Sequence, residues 1–144
     1  MLKVVSVVGY LAMAGGLVVL ILTHRVLSNS PVVIVLQVAA IGLMIWARIT
    51  FGRRSFHAVA NPTAGGLVTT GPYRYIRHPI YAAVCLFVTA GVVVHVSWTT
   101  LALWGLVLAG TLTRIFCEER LVTVRYPEYR VYAAKTPRLI PFLF

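Results

Sequence analysis

No Lys, Arg, Asp or Glu occurs from Val4 to His24, from Val26 to Ala47, or from His78 to Thr113. A helix that crosses the hydrocarbon core needs roughly 20 mainly apolar residues. The first two stretches each fit one crossing. The third is too long for one, and His95-Val96-Ser97-Trp98 interrupts it near its middle, so it reads as two short passes joined by a tight turn. The pattern predicts four transmembrane helices near 4–23, 31–50, 79–95 and 98–118, the last two a tight hairpin, in one all-α membrane domain covering 1–144. Lys3 gives only a weak basic start, and the first apolar run is long for a signal peptide and lacks a small-x-small cleavage site. It is read as a retained helix.

Composition sharpens this picture. Hydrophobic residues make up 60% of the chain and charged residues 11%, where soluble domains are about half apolar and about a quarter charged. That excludes an ordinary cytosolic fold, and it excludes disorder, which requires few apolar residues. The 13 Lys and Arg against 3 Asp and Glu give a net charge of +10. In so apolar a chain, basic residues at membrane edges explain that charge better than a nucleic-acid surface. Arg48, Arg53, Arg54, Arg74 and Arg77 lie between the second and third passes, and Arg114, Arg120, Arg125, Arg130, Lys135 and Arg138 follow the fourth, whereas Arg25 alone occupies the other side. Short Lys- and Arg-rich loops stay cytoplasmic, so both termini are expected inside. The small size without an added domain points to a prokaryotic inner membrane. Cys85 and Cys117 lack metal-ligand spacing and read as helix residues, not a disulfide.

This topology leaves a loop at 51–78 and a tail at 119–144 on one side of the membrane, and a loop of that length in a compact protein is usually functional or disordered. The loop ends in Gly71-Pro72-Tyr73-Arg74-Tyr75-Ile76-Arg77-His78-Pro79-Ile80-Tyr81. Pro79 suits the first turn of the third helix, where a missing N–H costs nothing, and His78 falls near its N-cap, beside free N–H groups that suit an anion. An interfacial arginine and tyrosine belt is the plainer reading of Tyr73, Arg74, Tyr75 and Arg77, but the density of Tyr, Arg, His and Pro is high for it. In Arg114-Ile115-Phe116-Cys117-Glu118-Glu119, Arg114 and Glu118 are four apart and can pair. Ionisable residues at that depth tend to face a bundle interior and mark functional sites. In the tail, Tyr126, Tyr129 and Tyr132 recur every three residues and form a stripe for packing, for the membrane surface, or for a flat ring or cation. Pro137 and Pro141 end the tail helix, and the last residues are expected to fold back on the membrane surface. His24, His57 and His95 stand isolated, and no metal set, activated nucleophile or glycine-rich phosphate loop is present.

These clusters, in this order, resemble the isoprenylcysteine carboxyl methyltransferase family and related small membrane methyltransferases, including phospholipid methyltransferases. The resemblance runs from about Gly66 to Pro141. It rests on the motif at 71–81, on Glu118-Glu119 with Leu121, and on Tyr129, Tyr132 and Pro137-Arg138-x-x-Pro141, with a helical hairpin between. Tyr126-Pro127 replaces a phenylalanine-glycine pair common in the family, with one residue fewer before Tyr129, and Ala82 stands where glycine is frequent. The resemblance implies methyl transfer from S-adenosylmethionine at the cytoplasmic face. It implies donor contacts from Leu67, Val68, Tyr73, His78, Pro79, Ile80, Tyr81, Glu118, Glu119 and Tyr129. It also implies that Arg114 binds the acceptor and that Arg114 and Glu118 serve catalysis. The expected partners are a lipophilic or small-molecule acceptor and membrane lipid, with no metal and no nucleic acid. A prenylcysteine carboxylate, a lipid amine, a small thiol and a polyketide-like acid are all open as acceptors, because function resides in the site and not in the fold.

Three other functions compete with this one. A small multidrug transporter needs a carboxylate inside the membrane, and the first three helices have none. A membrane reductase using NADPH is related in its C-terminal part but is much longer. A non-enzymatic membrane adaptor would use the tyrosine and arginine clusters only as surface anchors.

Overall fold

The computed structural model describes residues 1–52 and 66–141. The described residues are helical or irregular, with no strand among them. The helices are α1 (Leu2–Leu22), α2 (Pro31–Phe51), α3 (Pro79–Val92), α4 (Trp98–Arg125) and α5 (Tyr129–Lys135), with a 3-10 turn at Gly71–Arg74. Arg53, Arg54 and His57 of the polar loop, and the final residues 142–144, lie outside the described residues.

Three helices, α1, α2 and α4, are long and apolar enough to cross a membrane, and α3 is apolar but shorter. At 1.5 Å per residue α3 is about 21 Å long and α4 about 42 Å, against a hydrocarbon core of about 30 Å. The fourth helix continues past the expected end at 118 to Arg125. Glu118 to Arg125 contains no glycine or proline to stop it, and the Tyr126-Pro127 pair does. The third helix ends at Val92, short of 95, and the chain turns to Ser97, whose hydroxyl caps α4 by accepting from the Thr100 amide at 3.2 Å.

The links 93–97 and 23–30 lie at one end of the bundle, and the 3-10 turn, the start of α3 and the end of α4 at the other. α4 lies along α1 and α3 along α2, so the helices neighbour one another in the order α1–α4–α3–α2. Small residues set the first seam. A Cβ on Gly110 would stand 2.5 Å from the Gly9 carbonyl oxygen and 2.7 Å from the Met13 nitrogen, so glycine lets the two backbones touch, as in other membrane helix pairs. The second seam is closed by the 23–30 link. Val26 is fully buried, Gln37 of α2 donates to its carbonyl at 2.7 Å, and a Cβ on Gly91 would fall 1.9 Å from the same oxygen. Arg25 donates to Ser97 at 2.7 Å and to Thr100 at 3.1 Å, and His95 Nε2 lies 2.7 Å from the Leu27 carbonyl oxygen. Met13, Leu20, Val88, Val107 and Ile115 form the core, while Val4, Leu11, Val35, Trp46 and Ile49 face outward. Apolar side chains on the outside suit lipid as the surrounding solvent.

Candidate functional site

The polar loop is fixed where it meets α2. Gly71 has φ +56°, and a Cβ there would lie 2.6 Å from the Thr50 hydroxyl, so this turn admits glycine best. The 3-10 turn then sets the buried Tyr73 ring against that of Phe51, tilted by 41° with 5.4 Å between centroids. The dense motif divides in two from here. Arg74 and Tyr75 stay exposed, whereas Arg77, His78 and Tyr81 turn inward to meet α4.

Successive residues on an α-helix point about 100° apart, and Glu118 and Glu119 accordingly face different neighbours. Tyr81 donates its hydroxyl to Glu118 Oε1 at 2.5 Å and accepts from Arg114 Nε at 2.6 Å. The Arg114–Glu118 ion pair allowed by the i,i+4 spacing forms at 2.7 Å. Arg114 is only 3% exposed, and its guanidinium also lies 5.2 Å from the centre of the Tyr10 ring. Burial of a charge is tolerable when it is paired and hydrogen-bonded in this way.

Glu119 meets a second set. Its Oε1 lies 2.9 Å from Arg77 and 3.1 Å from His78 Nε2, and its Oε2 lies 3.1 Å from Arg138 Nε. The His78 and Tyr81 rings are 5.9 Å apart, which joins the two sets into one cluster. Tyr129 is buried above Arg77, its ring 5.8 Å from that of Tyr132, and Tyr132 donates to the Tyr73 carbonyl at 2.5 Å. Burial, with the Glu119 charge next in weight, pushes the Tyr129 phenol up to about 12. Burial, with Tyr132 and Glu118 behind it, pushes Tyr73 up as well, and burial raises Tyr132. All three phenols stay protonated at neutral pH, and Tyr132 spends its proton on the Tyr73 carbonyl.

The sequence-based candidates Tyr73, His78, Tyr81, Arg114, Glu118, Glu119 and Tyr129 thus gather at one end of the bundle, and Pro79 and Ile80 form the helix start among them. Leu67 and Val68 lie half-buried in the irregular stretch before the 3-10 turn, and the cluster's hydrogen bonds and ion pairs among the described residues do not run through them. Tyr126 does not share a stripe with Tyr129 and Tyr132: it caps α4, because Pro127 separates it from α5. Sequence reasoning missed Arg77, read as an interfacial arginine, and Tyr10, for which an apolar helix carries no signal. It also gave no role to Arg138, although the Pro-Arg-x-x-Pro pattern marked the position. Two buried side-chain atoms among the described residues have no partner, Ser6 Oγ and Arg77 Nε. No group of three or more His, Cys, Asp or Glu suited to a metal gathers among the described residues, and Cys85 and Cys117 are free thiols.

No solved structure matches the chain. The chain is similar to the nickel-cobalt-cadmium resistance protein NccN of Alcaligenes xylosoxydans xylosoxydans, at 39% identity over 82 residues. That match covers 54% of this chain and 37% of NccN, so the chain spans well under half of its relative's length. A match to a protein family runs over residues 32–133, beginning in α2 rather than near Gly66 and taking in the 3-10 turn, α3, α4 and most of α5. With most of the chain matched, and with the clustered residues up to Tyr132 inside the match, the chain belongs to the isoprenylcysteine carboxyl methyltransferase (ICMT) family.

Proposed function

We propose that this membrane methyltransferase uses S-adenosylmethionine at the cytoplasmic face, on a lipophilic or small acceptor resembling an isoprenylcysteine carboxylate. In this reading all four of α1–α4 cross the bilayer with both termini inside, and α3 is completed by the residues that flank it. One observation carries the proposal: the hydroxyl of Tyr81 ties Arg114 to Glu118, and the adjacent His78 meets Glu119, so that α3 and α4 share one polar cluster beneath apolar helices.

The residues suit the donor's chemistry. Arg77 Nε is a buried donor without a partner, which fits a carboxylate. The amides of Ile80 and Tyr81, in the first turn of α3, are not used inside the helix and favour negative charge there. The Glu118 side chain remains 24% exposed, and it fits an ammonium or ribose hydroxyls. Tyr73 and Tyr129 offer faces for a ring or a sulfonium, and Leu67, Val68, Pro79 and Ile80 offer apolar contact. When bound, S-adenosylmethionine supplies a methyl group on an already activated sulfonium. The protein's own work is then positioning and electrostatics: His78 and the α3 start orient the donor, Arg114 holds the acceptor's polar head, and the apolar helices exclude water.

Calorimetry on detergent-purified protein tests this. S-adenosylmethionine and S-adenosylhomocysteine should both bind, and His78→Ala and Glu118→Ala should each weaken binding roughly tenfold or more, as loss of a charge-assisted hydrogen bond does. A response to NADPH alone would establish a reductase. Absence of heat from every ligand, with folding intact, would reduce the cluster to a structural anchor. Labelled methyl donor added to membrane extracts would then identify the acceptor.

A further inference from the structure

The tail returns to the start of α3 and is fastened there. The amides of Arg77 and His78 donate to the carbonyls of Pro137 and Arg138 at 2.8 and 3.0 Å. Thr136 is buried, and Leu139 packs against the core. Glu119 sits over this junction with its side chain 12% exposed, and it receives Arg77 and His78 from one segment and Arg138 from the other. The Arg138 guanidinium also lies 5.3 Å from the centre of the Phe116 ring, one turn before. A carboxylate this buried is costly unless each of its oxygens is paired, and here every pair joins α4 to the strap or to the α3 start.

We infer that Glu119 is a positioning residue: it fastens residues 136–139 as a strap across the start of α3, and it acts on donor binding only through the wall this strap builds. Tyr132, bonded to the Tyr73 carbonyl, fastens the same tail further upstream. The strap also consumes the amides of Arg77 and His78, so those of Ile80 and Tyr81 are left for an incoming carboxylate. Glu118 and Glu119, adjacent in sequence, thereby divide their labour: one opens toward the site and the other locks its wall. The strap itself stands on the contacts above, and only its effect on donor affinity rests on the function proposed above.

The test is hydrogen exchange by mass spectrometry on the full chain in detergent, without ligand. Glu119→Gln and Arg138→Ala should both speed exchange roughly tenfold in peptides covering 73–78 and 130–139, with α4 near Val107 unchanged. In calorimetry with S-adenosylhomocysteine, both should lose affinity by the same factor, the double variant should be no worse than either, and Arg138→Lys should recover most of the loss. A Glu119→Gln protein that loses affinity with unchanged tail exchange, beside an Arg138→Ala protein that binds normally, would overturn the inference and make Glu119 a direct donor contact. If the unaltered protein does not bind the probe at all, the functional proposal fails, and the exchange data still decide the strap. Should Glu119→Gln not fold, Arg138→Ala carries the same comparison, because its side chain is 30% exposed.

Discussion

Tyr81→Phe isolates one oxygen atom. The ring is 8% exposed and packs in the core, and phenylalanine preserves that packing. Two hydrogen bonds disappear, one donated to Glu118 and one accepted from Arg114. Bonds to charged groups contribute about 1.5–3 kcal/mol each. The direct Arg114–Glu118 bond survives at 2.7 Å and leaves both charges paired, so the loss should fall below the sum of the two bonds, about 2 kcal/mol in all. For a chain of this size, where 1 kcal/mol shifts Tm by about 2–4 °C, the midpoint should drop by roughly 4–8 °C. Glu118 would also lose one of the two partners that orient it, and S-adenosylhomocysteine affinity should fall roughly tenfold, equivalent to about 1.4 kcal/mol. Thermal scans in detergent and calorimetry read the two effects separately. An unchanged midpoint and affinity in Tyr81→Phe, beside a large loss in Glu118→Ala, would show that the hydroxyl organises nothing.

Arg114→Ala should abolish most turnover with labelled donor while costing S-adenosylhomocysteine affinity no more than Tyr81→Phe does, because in the proposed reading the acceptor meets this guanidinium and the donor feels it only through Glu118; abolished donor binding would refute that division. Gly91→Ala should prevent correct folding, since its Cβ would overlap the Val26 carbonyl at 1.9 Å, whereas Gly105→Ala, which meets nothing within 4 Å, should leave stability unchanged or raise it by up to about 1 kcal/mol. Alkaline pH should loosen the tail. The Tyr129 phenol titrates at about 12 in the fold against 10.0 unperturbed, so its protonated form contributes stability that is whole below about 10 and lost as pH rises through 12. Tyr129→Phe should flatten that part of the stability curve, and an equally steep decline would assign it elsewhere.

The three long apolar helices α1, α2 and α4 were the most legible part of the sequence, because the absence of charge in a long apolar run has few physical interpretations. Helix ends were less so. The boundary at 118 followed the first carboxylate, but charge does not end a helix that has left the hydrocarbon core, and backbone chemistry at Tyr126-Pro127 does. The hairpin of α3 and α4 is a covalent neighbourhood; the long seams instead pair α1 with α4 and α2 with α3. Those seams depend on Gly9, Gly110, Gly91 and Gln37, residues whose partners are remote in sequence. The site was legible where spacing alone brings residues together, as for Arg114 and Glu118. Arg77, Arg138 and Tyr10 acquire their roles only from contacts across the fold.

The row of helices also ties the proposed site to stability. Lipid is as apolar as leucine, so the hydrophobic effect does little to hold spanning helices together, and packing and polar contacts must do so. The α1/α4 pair and the α2/α3 pair meet mainly along the shorter α3–α4 contact. Polar ties flank it: Tyr81, Arg114 and Glu118 at one end, and Arg25, Ser97 and Thr100 at the other. The first tie belongs to the proposed site and the second does not. Substituting Arg25 should therefore cost stability alone, whereas substituting Tyr81 should cost stability and donor affinity together. The ratio of the two losses, compared between the ties, separates a residue that serves the chemistry from one that only holds the helices in place.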